Sequence, residues 1–117
     1  MNDVRYRDLG ESLLIRVFGN SPKVRILDIF FDNPYFDFSK SELVRELGMS
    51  KQTLYKHFKD LESLGIIVVS RRIGRATLYR LNREHPLVKM LEKMIRETSL
   101  IIAEQEAKKQ AIPVEEK

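Results

Sequence analysis

A chain of 117 residues that is 43% hydrophobic and 32% charged suits one compact soluble domain with length left for an accessory element. The absence of cysteine excludes disulfides, thiolate metal sites and a cysteine nucleophile; no run of about 18 uncharged apolar residues exists to span a bilayer, and MNDVRYRDLG has no apolar signal segment, so a cytoplasmic location is expected. The net charge of +4 is unevenly spread: residues 50–83 hold eight Lys and Arg against Asp60 and Glu62, so the whole basic excess lies in that third of the chain, as on a polyanion-binding surface.

In chain order, Asp8 is placed to cap a short helix with apolar positions Leu9, Leu13, Leu14, Val17 and Phe18, ended by Gly19. Ser21-Pro22 reads as an N-cap followed by proline at the first helical position. Val24, Leu27, Ile29, Phe30 and Phe31 make this second helix apolar over much of its surface, and Asp32-Asn33-Pro34 stops it. Tyr35-Phe36-Asp37-Phe38 reads as a very short strand with Phe36 and Phe38 on one side. Ser39 and Glu42 have capping-box spacing for a third helix, with Leu43, Val44 and Leu47 on its inner face and Gly48 at its end. After Met49, Ser50 caps a fourth helix that is predicted to run to Leu64, with Gly65 as the stop. Ile66 to Arg71 and Ala76 to Leu81 then form a hairpin about the loop Arg72-Ile73-Gly74-Arg75. Pro86 opens a last helix to about Gln110, and 111–117 reads as a frayed tail.

The expected fold is therefore mainly α with a small β-hairpin, an α+β winged helix-turn-helix with N- and C-terminal dimerisation helices. Residues 1–19 form the N-terminal helix, 20–83 the winged domain, 84–110 the dimerisation helix and 111–117 a flexible tail.

A helix-turn-helix works when its second helix is held rigidly and one face projects into the major groove. At ~100° per residue, Leu54, Phe58, Leu61 and Leu64 make a compact inward stripe. Gln52, Lys56, Lys59 and Ser63 fall on the opposite face, with Tyr55 beside them. Glutamine pairs bidentately with adenine, and lysine reaches guanine or phosphate. Ser50, Lys51 and Thr53 occupy the first turn, where side chains and free N–H groups meet phosphates. Arg71, Arg72 and Arg75 cluster at the hairpin tip, a ready contact for phosphate or the minor groove. Two basic elements in succession, each with the required secondary structure, point to double-stranded DNA as the partner.

The stretch FSKSELVRELGMSKQTLYKHFKDLESLGIIVVSRRIGRATLYRLNREHPLV resembles the winged-helix regulators of the ArsR/MarR-like group, especially its short archaeal members, over roughly residues 20–90. The features that carry the resemblance are a first helix over 41–47, a Gly-Met-Ser turn, a recognition helix closing as LxxLGII, an R-x-x-G-R wing and a closing YRLN strand. The resemblance implies sequence-specific operator binding by a symmetric dimer and control of transcription. It does not extend to metal sensing, which in that group relies largely on cysteine pairs.

On the last helix Leu87, Leu91, Met94, Thr98 and Ile101 follow steps of four and three, the coiled-coil spacing, flanked by Ile95 and Ile102. About 25 residues give a rod of about 37 Å, longer than the winged domain can cover, so a second copy of the chain is expected on its distal half. No enzyme, cofactor or metal is expected: His57 and His85 read as packing or capping residues, and no phosphate-cradling glycine loop or Ser/His/Asp set is present. Two alternatives stay open. One is a winged-helix chromatin or assembly module with non-specific DNA or protein binding. The other is a ligand-responsive repressor with a small-molecule effector near Tyr35, Phe36 and Phe38.

Overall fold

The computed structural model describes residues 12–115. Asp8 and Leu9 lie outside them. Helix α1 (Leu13–Phe18) starts at Ser12, whose Oγ accepts from the Ile15 amide at 3.3 Å, and ends at Gly19 with φ +92°. Helix α2 (Pro22–Asp32) opens on the Ser21 cap and the proline at its first position. It buries Ile26, Ile29 and Phe30, and Asp28 is drawn in beside them.

The expected strand at 35–38 shrinks to one bridge. Pro34 and Tyr35 lie in a turn, and only Phe38 pairs, exchanging two 2.8 Å backbone bonds with Tyr79. The phenylalanines therefore part company: Phe38 packs edge-on against Phe30 at 5.4 Å between centroids, whereas Phe36 is exposed. Helix α3 (Lys40–Leu47) carries the complete capping box, with Ser39 Oγ accepting from the Glu42 amide at 3.1 Å and Glu42 Oε1 accepting from the Ser39 amide at 2.8 Å. Gly48, at φ +63° in the left-handed region, turns the chain into Met49-Ser50 and helix α4 (Lys51–Ser63).

Leu54, Phe58 and Leu61 stand one turn apart on α4 and are almost fully buried. Together with Leu43 and Leu47 they close the core between the three helices and the hairpin, each contributing about 1.5–3 kcal/mol by leaving water. Leu64 does not join the stripe. The helix stops at Ser63, so Leu64 is its C-cap and is exposed.

Strands β1 (Ile67–Ile73) and β2 (Ala76–Leu81) pair antiparallel through a two-residue turn, Gly74-Arg75. Only Gly74 of this pair has positive φ, +58°, the pattern of a hairpin turn with glycine first. Ile73 thus belongs to the strand rather than to the expected loop. The register shifts at Ser70, a bulge between Val69 and Arg71. Tyr79 packs edge-on against Phe58 at 4.7 Å.

The corner after β2 fixes the last helix to the end of α4. Asn82 Nδ2 donates to the Gly65 carbonyl at 2.9 Å, and the Asn82 amide donates to Ile66 O at 2.8 Å. His85 Nδ1 accepts from the Leu87 amide at 3.1 Å, so in the neutral ring Nε2 carries the proton and donates to Leu64 O at 3.0 Å. His85 is thereby a cap for α5 (Pro86–Glu115). That helix runs past Gln110, where its end was expected, and at 1.5 Å per residue it is about 45 Å long.

Candidate nucleic-acid interface

Helix α4 exists at its observed position because Ser50 stops the preceding turn from continuing it backwards and the Leu54, Phe58, Leu61 stripe fixes its rotation. Once that stripe is buried, Lys51, Gln52, Tyr55, Lys56 and Lys59 must face outward, and they line one shallow concavity on the far side of the helix. Further along, Asp60 pairs with Lys23 of α2, which removes the nearest acidic group from this face. Ser50 and Thr53 are tied to each other: Ser50 Oγ accepts from the Thr53 amide at 3.1 Å and donates to Thr53 Oγ1 at 2.9 Å. The Thr53 hydroxyl proton is left for an external acceptor.

A second concavity, about 340 Å³, separates α4 from the hairpin and is lined by Ser39, Lys40, Ser41, Tyr55, Arg75, Thr77 and Tyr79, with Ala76 at its edge. Neither hollow has an acidic lining residue. Lys40, Ser41 and Thr77 escaped the sequence reading because nothing local marks them; the tertiary fold brings them to Tyr55. The Lys40 ammonium stands 4.7 Å from the Tyr55 ring centroid, 5.0 Å from Phe58 and 5.4 Å from Tyr79. Three ring faces hold it between α3, α4 and β2. Lys51 approaches the same Tyr55 ring at 5.6 Å.

The bulge at Ser70 decides which wing arginine faces this groove. Cross-strand partners share a face of the sheet. Ile67 and Leu81 are buried in the core, Tyr79 is buried beside the exposed Val69 on the same face, and after the bulge Arg72 with Thr77 continues that face. Arg71, paired with Leu78, is turned to the reverse. There its Nε donates to Asp37 Oδ2 at 2.9 Å and its Nη2 to Oδ1 at 3.4 Å. The structure thus separates the three arginines expected at the tip. Arg72 and Arg75 are exposed beside the groove, whereas Arg71 is engaged by a carboxylate behind it. The Arg71 guanidinium and the Ser70 hydroxyl hold the Asp37 carboxyl below the usual carboxylate range.

The stripe on α5 also divides. Val88 is fully buried, and Leu91, Ile95, Thr98 and Ile102 continue its line half-buried. Leu87, Met94 and Ile101 are exposed, together with Met90 and Leu100, and Val17 and Phe18 of α1 are exposed as well. Among the described residues no cluster of His, Asp or Glu has the makings of a metal site, and no helix is long and apolar enough to cross a membrane.

Comparison with known proteins places these elements. An HTH domain family matches residues 24–74, from the first turn of α2 to the tip of the hairpin. No curated protein matches the chain. Among solved structures, the chain is similar to reduced HlyU from Vibrio cholerae, at 22% identity and TM-score 0.54 over 73% of this chain and 83% of that one. It is similar also to Rv0081 of M. tuberculosis, at 20% identity and TM-score 0.53 over 80% of this chain and 89% of that one. Residues 24–74 are thus similar to an HTH domain family, and the α2–α3–α4 core with its hairpin and flanking helices is a winged-helix fold.

Proposed function

We propose that this protein is a sequence-specific, double-stranded DNA-binding transcriptional regulator that acts as a homodimer and has no catalytic role. Helix α4 enters the major groove, and the hairpin tip lies on the backbone or in the minor groove. The observation that carries this reading is the continuous, acid-free surface from Gln52, Lys56 and Lys59 through the Lys40–Tyr55 groove to Arg75. A duplex presents a major groove wide enough for one helix, and its backbone passes between that helix and a neighbouring wing. Gln52 is the side chain on this surface with paired donor and acceptor atoms for an adenine edge; the lysines and arginines supply phosphate contacts.

The dimer rests on the exposed apolar side of α5 with Val17 and Phe18. Two copies joined there would present two α4 helices to one face of DNA, and half-sites about 34 Å apart would meet them. The resemblance to the ArsR/MarR-like group supports the same arrangement. Selection of the purified protein against randomised duplex DNA, repeated at two salt concentrations, tests the reading. A palindromic motif with half-sites about one turn apart is expected. Salt-sensitive binding without a motif would overturn sequence-specific regulation in favour of an assembly or chromatin module.

A further inference from the structure

The reverse face of the hairpin bears a second kind of chemistry. A cleft of about 390 Å³ opens there between the segment after α2, the base of the hairpin and the corner before α5. Tyr35 and Phe36 line it and are 80% and 63% exposed. Two neighbouring rings at that exposure in one cleft form an apolar patch of the kind that marks a binding groove. They are also held in place: the Phe36 amide donates to Asn33 O at 3.1 Å, and two residues on Phe38 is locked to Tyr79.

Three guanidinium groups converge on the same cleft, from Arg71, Arg80 and Arg83. Two are already engaged. Arg71 is held by Asp37, and Arg83 donates from Nε to Glu92 Oε2 at 2.9 Å while its guanidinium lies 4.5 Å from the Tyr35 ring centroid. Arg80 has a single hydrogen bond among the described residues, from Nη1 to the carbonyl of its neighbour Leu81 at 3.3 Å. Most of its five donors are unspent. The carboxylates of the lining do not compensate it, since Asp37 is taken by Arg71 and Glu84 reaches Lys89 at 3.6 Å.

An uncommitted, exposed cation beside two exposed rings fits a ligand that is both anionic and flat. The volume is in the range of small-molecule sites and admits a single ring system. Arg83 covers one face of Tyr35, so a ring on the open face would complete a stack. We propose that this cleft binds a small planar anion, an aromatic ring bearing a carboxylate or a phosphate, with the ring against Tyr35 and Phe36 and the anionic group on Arg80. The pairing of β1 with β2 puts Arg80 on the face opposite Arg72 and Thr77. The site is thus separate from the DNA-binding surface and does not rest on the proposed function.

Amide NMR spectra of the 117-residue chain, titrated with benzoate and separately with adenosine monophosphate, test this. Saturable shifts confined to residues 34–37, 70–71 and 80–84 are expected from at least one of the two. Benzoate alone would identify an aromatic carboxylate as the ligand class; the nucleotide alone would identify a nucleotide-like one. Acetate, inorganic phosphate and benzyl alcohol each supply half of the recognition and are expected to bind about tenfold more weakly. Arg80→Ala removes no contact beyond its neighbour's carbonyl, so it should leave the rest of the spectrum intact and weaken binding about tenfold; Tyr35→Ala should weaken it similarly. The proposal is overturned if neither ring-bearing anion shifts the cleft, if shifts centre on α4 instead, if acetate or phosphate binds as tightly, or if Arg80→Ala binds unchanged.

Discussion

Asp37 holds Arg71 on the reverse of the hairpin through two hydrogen bonds, of 2.9 and 3.4 Å, and takes a third on Oδ2 from Ser70 at 2.9 Å. The arginine turned toward the groove is its neighbour Arg72. It follows that three adjacent basic residues should behave unequally. Arg72→Ala and Arg75→Ala are expected to weaken binding to every duplex and to reduce the log–log salt slope by about one each. Arg71→Ala should leave that slope unchanged. Fluorescence anisotropy on one duplex at four salt concentrations measures all three, and a drop of about one in the slope for Arg71→Ala would place that side chain on DNA after all.

The same pair gives a pH dependence of defined sign. Its hydrogen bonds lower the Asp37 carboxyl in the folded state. In the unfolded chain the group titrates near 3.9. The unfolded state therefore binds more protons between the two values, so the contribution is fully present above about 4 and is lost as the pH falls through the folded value. Asp37→Asn should flatten this part of the acid-unfolding profile. It should also lower the melting midpoint modestly above about pH 4, where the wild type keeps the pair, and the two proteins should converge as the wild-type carboxyl becomes protonated in acid. Circular dichroism melts between pH 2.5 and 7 read the difference.

The parts of this fold that were legible in the sequence are those whose determinants lie within four residues of each other. Ser39 with Glu42, Ser50 with Thr53, and Gly48 at the end of α3 are local solutions to unpaired helix-end groups, so the residue types announce them. The bulge at Ser70 left no such mark, because register depends on the opposite strand. For that reason Arg71 and Arg72 could not be told apart by alternation. Lys40 escaped for a related reason: its three ring partners come from α4 and β2, separated from it by 15 to 39 positions of chain. Leu64 looked like a fourth rung of the α4 stripe, but the helix ended one residue too soon.

Gln52 and Lys40 should fail in different ways. Gln52→Ala is expected to cost about 1–3 kcal/mol on the preferred site while changing little on unrelated duplexes. Lys40→Met keeps the aliphatic stem against Tyr55, Phe58 and Tyr79 but removes the charge, so it should weaken all duplexes alike and reduce the salt slope by about one. The loss of the cation–π contacts should cost about 0.5–1 kcal/mol of stability. Competition binding with the selected and a scrambled duplex separates the two. Equal losses for Gln52→Ala on both would mean that the reading face is rotated away from this side of α4.

Asp28 is 3% exposed, and among the described residues its Oδ2 has no hydrogen-bond partner. Burial pushes its carboxyl up, against a lowering hydrogen bond from Ser12, and Asp32 adds to the rise. Here the folded state holds the proton more tightly than the unfolded chain, so stability falls as the pH rises from about 4 through the raised folded value. Asp28→Asn removes the ionisation without changing the shape. It should raise the stability at neutral pH by about 1 kcal/mol and remove the stabilisation on mild acidification. A variant less stable than the wild type at pH 7 would show that the charged form has a partner in solution.

The two sides of α5 make opposite predictions about self-association. Met90 and Ile101 are 70% and 54% exposed, on the side turned away from the protomer's own packing. Ile95, by contrast, lies half-buried in line with Val88, on the side of α5 that the protomer covers itself. Met90→Glu with Ile101→Glu should therefore produce a monomer that melts at nearly the wild-type temperature when both are compared at a concentration where the wild type has dissociated. Ile95→Ala opens a gap in the internal packing and should cost about 2 kcal/mol of stability, at the low end for a partly buried isoleucine, while the protein still dimerises. Sedimentation equilibrium distinguishes the two variants directly. Because each monomer keeps one α4 and one wing, the charged double variant should still bind DNA, but with about half the salt slope of the dimer and with a preference for single half-sites. A charged double variant that stays dimeric would move the interface to another face of the molecule.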